Sequence, residues 1–236
     1  MKFCRIGFIV VILGSAFAGL DVSGSPKGLT ESQRSLDDVL KYLRPALKSA
    51  GAGRIYYSTV CSANDNTALP FPHVDVGPPS KDKRDLAAVR EIFKNKKEII
   101  VTEDLSRMIR ISIGKPSSAI LQTRIHSLTL TPDQQYNPGL AVIAFETATE
   151  VKSAERELGF GHPLTLLDMN VSEPEKGKPH LPASVKDITL DQALDLIAKT
   201  FGGIVTYGTC ARSKGERLYT LDYVGDVGVE DDVEAR

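Results

Sequence analysis

Val185-Lys-Asp-Ile-Thr-Leu-Asp-Gln-Ala-Leu-Asp-Leu-Ile197, continued by Gly202-Gly-Ile-Val-Thr-Tyr-Gly-Thr-Cys210, carries the plainest structural instructions in the chain. Val185 to Ile188 reads as a strand. Thr189 then stands where a helix N-cap stands, and Gln192, three residues on, completes the capping-box spacing. Ala193, Leu194, Ile197 and Phe201 recur at helical spacing and form one apolar stripe. Gly202-Gly203 ends the helix. Ile204 to Cys210 is β-branched and aromatic enough for a strand, and a turn around Lys214-Gly215 leads back into a partner strand, Arg217 to Val224.

The same plan occurs earlier. Ser35-Leu-Asp-Asp-Val-Leu-Lys-Tyr-Leu43 matches Thr189 to Ile197 in capping and core positions, and Gly53-Arg-Ile-Tyr-Tyr-Ser-Thr-Val-Cys61 aligns with Gly202 to Cys210. Ser35 is expected to cap the first helix with Asp38 answering it, Pro45 to kink or shorten it, and Gly51 and Gly53 to end it. A true repeat would pack as two units about a pseudo-twofold axis and bring Cys61 and Cys210 within bonding reach. The blander explanation is that any capped helix leading into a strand produces such a match.

Between the two units, residues 62–84 carry Pro70, Pro72, Pro78 and Pro79 and form a loop unusually long for the inside of a domain. Leu86, Val89, Ile92 and Phe93 predict a short helix, and Ile99 to Thr102 and Met108 to Ile113 predict strands. Ser118 to Ile125 reads as a short amphipathic helix. The longest helix is expected after Asn137, with Pro138 at its first position and Gly159 as its stop. Leu140, Ala144, Ala148, Val151, Ala154 and Leu158 would form its buried stripe, leaving Glu146, Glu150, Lys152, Glu155, Arg156 and Glu157 to water. Leu164 to Met169 suggests another strand, and Pro174 to Pro182 a linker. The fold class that results is α+β, built from small helix–strand units on mixed or antiparallel sheets. Its divisions are a leader (1–18), a flexible lead-in (19–34), an α/β region (35–168), a β-α-β-β unit (185–224) and an acidic, disordered tail (225–236).

The leader is read from Lys2 and Arg5, the apolar run Ile6 to Leu13, and Ala16-Phe17-Ala18, the small-x-small pattern of a signal-peptidase site. Cleavage is expected between Ala18 and Gly19, giving a soluble exported chain, periplasmic or secreted. The apolar run is too short to span a bilayer, which takes about 20 residues, and no later segment is long enough either. The formal net charge of −1 becomes more negative once Lys2 and Arg5 leave, so neither nucleic acid nor an acidic membrane surface is an expected partner. Cleavage also leaves Cys61 and Cys210 as the only cysteines. In an oxidising compartment they form a candidate disulfide; the competing reading is two buried thiols.

The unit from Val185 to Val224 resembles the small secretin and TonB N-terminal short domain, on the strength of Val185 to Ile197, with its central Ala193-Leu194 pair, and Ile204-Val-Thr-Tyr207. The resemblance covers about a sixth of the chain. It implies a periplasmic setting and action by protein–protein contact with an envelope partner.

No catalytic, cofactor-binding or metal-ligating residue is assigned. His73-Val-Asp75 offers two ligands where a site needs a third. His126, His162 and His180 read as loop or helix-end residues, and pairing Cys61 with His73 as a nucleophile competes with the repeat's account of Cys61. The function expected is a non-catalytic, exported interaction module of the cell envelope. The alternatives are an exported enzyme with its site around the 62–84 loop, or a carrier of a small apolar ligand.

Overall fold

The computed structural model describes residues 31–47, 51–61, 69–93, 96–161, 177–212 and 217–225. In chain order these hold α1 (Glu31–Leu47), β1 (Ala52–Val60), α2 (Asp85–Ile92), β2 (Ile99–Glu103), β3 (Ile109–Ile113), a 3-10 turn (Ile120–Gln122), β4 (Arg124–Thr129), α3 (Pro132–Tyr136), α4 (Pro138–Glu146), α5 (Thr149–Leu158), β5 (Ser184–Thr189), α6 (Leu190–Phe201), β6 (Gly203–Ala211) and β7 (Arg217–Val224). The fold is α+β. Five strands make one mixed sheet in the order β2-β3-β1-β6-β7, and β4 and β5 make a separate antiparallel pair. β1 runs parallel to both neighbours, while β2 and β7 close the sheet antiparallel at its edges.

Each face of the sheet has its own core. Ile55, Tyr57, Ile109, Ile111, Ile113 and Ile204 turn toward α1 and α2, against Val39, Leu43, Val89 and Ile92. Met108, Val205, Tyr207, Tyr219 and Leu221 pack with the other core, against Phe145, Val151, Leu194 and Ile197 of α4, α5 and α6. Two-residue alternation along the strands makes both faces from the same segments. Each fully buried Leu, Ile or Phe contributes about 1.5–3 kcal/mol.

The two helix–strand units meet at the middle of the sheet. β1 and β6 pair in parallel from Ala52↔Gly203 to Val60↔Ala211, with α1 on one face and α6 on the other. A half-turn about an axis running along the two strands would produce this arrangement. The ladder sets Gly53 against Ile204, two residues beyond the Gly202 that the sequence alignment gives it. Cys61 and Cys210 lie at disulfide-bonding distance, their Cα atoms 5.4 Å apart. Gly208, opposite Tyr57 in the ladder, leaves room for that ring: a Cβ there would run into its Cζ and hydroxyl oxygen.

Several local expectations change. α1 begins at Glu31, so Ser35 lies inside the helix and buried rather than at its cap. Pro45 sits in the last turn without ending it, because Leu43, Ala46 and Leu47 are buried on both sides of the missing N–H. The helix expected over Ser118 to Ile125 is a single 3-10 turn followed by β4, whose ladder with β5 overrides the weak helical spacing. The long helix after Asn137 is two. Thr147 turns its hydroxyl back onto the Ile143 carbonyl at 2.7 Å, and the next residue, Ala148, takes up extended backbone. Glu146 and Glu155 are buried, not on a wet face. The capping box of Thr189 and Gln192 is present as expected, but β5 before it pairs with β4 instead of with β6 or β7. The leader, residues 19–30 of the lead-in, Leu164 to Met169, His162 and residues 226–236 lie outside the described residues.

Candidate functional site

Arg54 stands on β1 among apolar neighbours and is fully buried. The ladder puts Arg110 of β3 directly beside it, and two adjacent guanidinium groups under a helix need counter-charges. α6 supplies them from Asp191 and Asp195, one helical turn apart and therefore on one face. Arg54 donates to Asp195 Oδ1 at 2.7 Å and to Asp191 Oδ1 and the Asp191 carbonyl at 3.1 Å. Arg110 reaches Asp191 Oδ2 at 3.3 Å and also bonds Asp195 Oδ2 and the Tyr56 hydroxyl. Tyr56 in turn donates to Asp191 Oδ1 at 3.0 Å, under the Arg54 guanidinium. All four carboxylate oxygens thus hold a donor. Burial, outweighing the pull of Arg54, raises the Tyr56 phenol well above its usual range. Asp104 adds a third carboxylate, 3.5 Å from Arg110, and the cluster is an ionic lock that fixes the first turns of α6 to the sheet.

A second polar line ties α1 to the loop that precedes α2. Ser35 Oγ lies 3.5 Å from His73 Nδ1, and His73 Nε2 lies 3.2 Å from Asp75 Oδ1. Lys96 donates to Asp75 Oδ2 at 2.7 Å. That bond, then the lysine charge and His73, hold the Asp75 carboxyl below its usual range. The order serine–imidazole–carboxylate is that of a hydrolytic triad, with burial reversed. A working triad encloses its carboxylate and presents its serine; here Ser35 is buried while the His73 and Asp75 side chains are about 70 % exposed. His73 contacts Ser35 and Asp75 accepts from Lys96, and among the described residues there is no group of three or more His, Cys, Asp or Glu that could hold a metal ion. The Cys61–His73 nucleophile is not formed, since Cys61 is placed at bonding distance from Cys210.

His126, His180 and Glu155 make contacts of their own. The His126 ring lies 3.3 Å from Asp187, its backbone N–H donates to Glu150, and His180 sits beside the Leu181 carbonyl. Glu155 accepts from Lys152 and from the Tyr219 hydroxyl. Burial, then that bond to Glu155, raises the Tyr219 phenol.

The third feature is the outer edge of β2. Ile99 and Val101 turn toward the α1–α2 core, while Ile100 is 60 % exposed and Leu105, in the turn to β3, is fully exposed. Between this edge and the end of α2 runs an open groove of about 670 Å³, lined by Arg90, Phe93, Lys96, Lys97, Ile99 and Val101 among others. Arg90 leans over the edge, its Nη2 3.5 Å from the Val101 carbonyl. An edge strand with an exposed apolar side chain is a template for another strand, and a cation beside it selects what may pair. No described helix is long and apolar enough to cross a membrane. No family model, curated protein or solved structure matches the chain.

Proposed function

We propose that the chain is an exported interaction module of the cell envelope, with the edge of β2 as its docking surface. The observation that carries this is the open, cation-rimmed edge with Ile100 and Leu105 in water. The cysteine pair at bonding distance supports an oxidising compartment. So do the leader pattern of residues 1–18 and the resemblance of Val185 to Val224 to the secretin and TonB short domain, whose members act by contact. A photoreactive residue placed at 100 or 105 in the exported protein should give a discrete covalent adduct, and one placed at Lys199, exposed on α6, should not. Equal labelling from all three positions, or none, removes the docking surface.

The line Ser35–His73–Asp75 favours a second reading, a serine hydrolase. There His73 would take the Ser35 hydroxyl proton as the oxygen attacks an acyl group, with Asp75 orienting the ring. It requires the first turns of α1 to lift, because Ser35 is buried. A fluorophosphonate that labels Ser35, and fails to label the His73→Ala variant, establishes this reading; an unlabelled serine retires it.

A further inference from the structure

Residues 226–236 have a sequence pattern that the groove beside β2 answers. The even positions are Asp226, Gly228, Glu230, Asp232, Glu234 and Arg236; the odd ones are Val227, Val229, Asp231, Val233 and Ala235. In an extended chain that alternation puts acids on one side and mostly apolar side chains on the other. The edge of β2 is divided the same way. On the α2 side Arg90 and Lys97 flank Ile99 and Val101, with Lys96 already bonded to Asp75. On the other side Ile100 stands 60 % exposed.

We propose that the stretch 226–230 of a second copy adds to the sheet as a strand beside β2, acids toward Arg90 and Lys97 and valines over Ile100. The proposal rests on the reading of this edge as a docking surface and names its occupant. Glu103, exposed at the far end of β2, repels an acidic strand and so confines the pairing to the Ile99–Val101 half. The incoming strand's N–H groups take over the Val101 carbonyl from the long Arg90 bond.

Reach decides between copies. β7 is the opposite edge of the sheet, four strand spacings from β2, or about 19 Å. Val227 and Val229 follow Gly225 by two and four residues and extend at most about 7 and 14 Å from it. Their own β2 is out of range, so a strand that pairs through Val227 and Val229 comes from another molecule. Donor and acceptor sit on opposite edges, which gives head-to-tail association or a reciprocal pair.

The test compares the chain from Gly19 with one ending at Gly225, which keeps every described strand and helix, by sedimentation over a wide concentration range. Binding of a labelled peptide of residues 226–236 to the shortened chain is measured alongside. We expect the longer chain to associate and the shorter to stay a single copy. The peptide should bind, and at least tenfold more weakly to the Arg90→Glu, Lys97→Glu variant. A scrambled peptide of equal charge that binds as well overturns strand addition. Failure of the peptide, with an unrelated alternating acid–valine strand still binding, overturns the occupant and leaves the docking surface standing. Failure of every strand overturns both.

Discussion

Arg54 shows how much one residue can depend on partners far along the chain. Its guanidinium is fully buried, and its carboxylates come from α6, more than 130 residues away. Arg54→Met leaves Asp191 and Asp195 with Arg110 as their one remaining guanidinium, beside the Tyr56 hydroxyl on Asp191. The expected loss is about 3 kcal/mol, the low end for breaking a buried ion pair because Arg110 still reaches both acids. Replacing Arg54, Asp191 and Asp195 together by apolar residues should cost less than the single change. Urea unfolding of both variants checks the order. The tyrosines give a pH test. Tyr56, Tyr57, Tyr207 and Tyr219 all have phenols raised chiefly by burial. A group whose folded pKa lies above its unfolded value contributes stability below the unfolded value, near 10, and loses it as pH rises further. These four should therefore form phenolate only as the fold is lost. The chain has seven tyrosines, so the signal of these four is isolated by replacing Tyr42, Tyr136 and Tyr223 with Phe. In that variant absorbance at the phenolate band and far-UV circular dichroism should change together above about pH 10, and a phenolate signal that precedes unfolding contradicts the assignment.

At the scale of elements, what could be read depended on whether the signal was local. The box of Thr189 and Gln192, the stripe of Ala193, Leu194 and Ile197, and the antiparallel pairing of β6 with β7 each rest on neighbours in sequence, and each is present, while the turn expected around Lys214-Gly215 lies outside the described residues. The stretch Ser118 to Ile125 carries a weak helical spacing, but β5, the partner of its last two residues, lies some 60 residues further on, and the ladder, not the spacing, fixes their state. Glu146 and Glu155 looked solvated on a helix drawn in isolation; the break at Thr147 turns the two halves differently and buries both. The Arg–Asp lock left only a faint trace, an arginine in an apolar strand and two aspartates a turn apart. Gly208 is the sharpest test of packing between elements. Gly208→Ala drives a methyl group into the Tyr57 ring and should cost about 1–3 kcal/mol, the usual penalty of overpacking. Adding Tyr57→Val should recover part of it. Additive losses in a double-mutant cycle would show that the two residues do not share that space.

Across the whole molecule, the seam between β1 and β6 is hydrogen-bonded along its length and ends on a cysteine pair at disulfide-bonding distance. Cys61 and Cys210 are 149 residues apart. Closing a loop of that size is worth roughly 4–5 kcal/mol in the chain-entropy model. Reductant, or the Cys61→Ala, Cys210→Ala pair, should lower the denaturant midpoint accordingly, and non-reducing peptide mapping should recover one crosslinked fragment. Two free thiols in oxidised, folded protein would contradict this.

The same seam governs when the molecule can assemble. A chain released amino end first exposes β1 long before β6 exists, and the longest ladder in the sheet pairs segments about 150 residues apart. Pairings of such high contact order fold slowly, because the entropy of closing the loop is spent before any contact returns it. Until the last strands arrive, β1 has an open side and the sheet has no centre. Completion of the sheet therefore waits on β6, however early β1 is made.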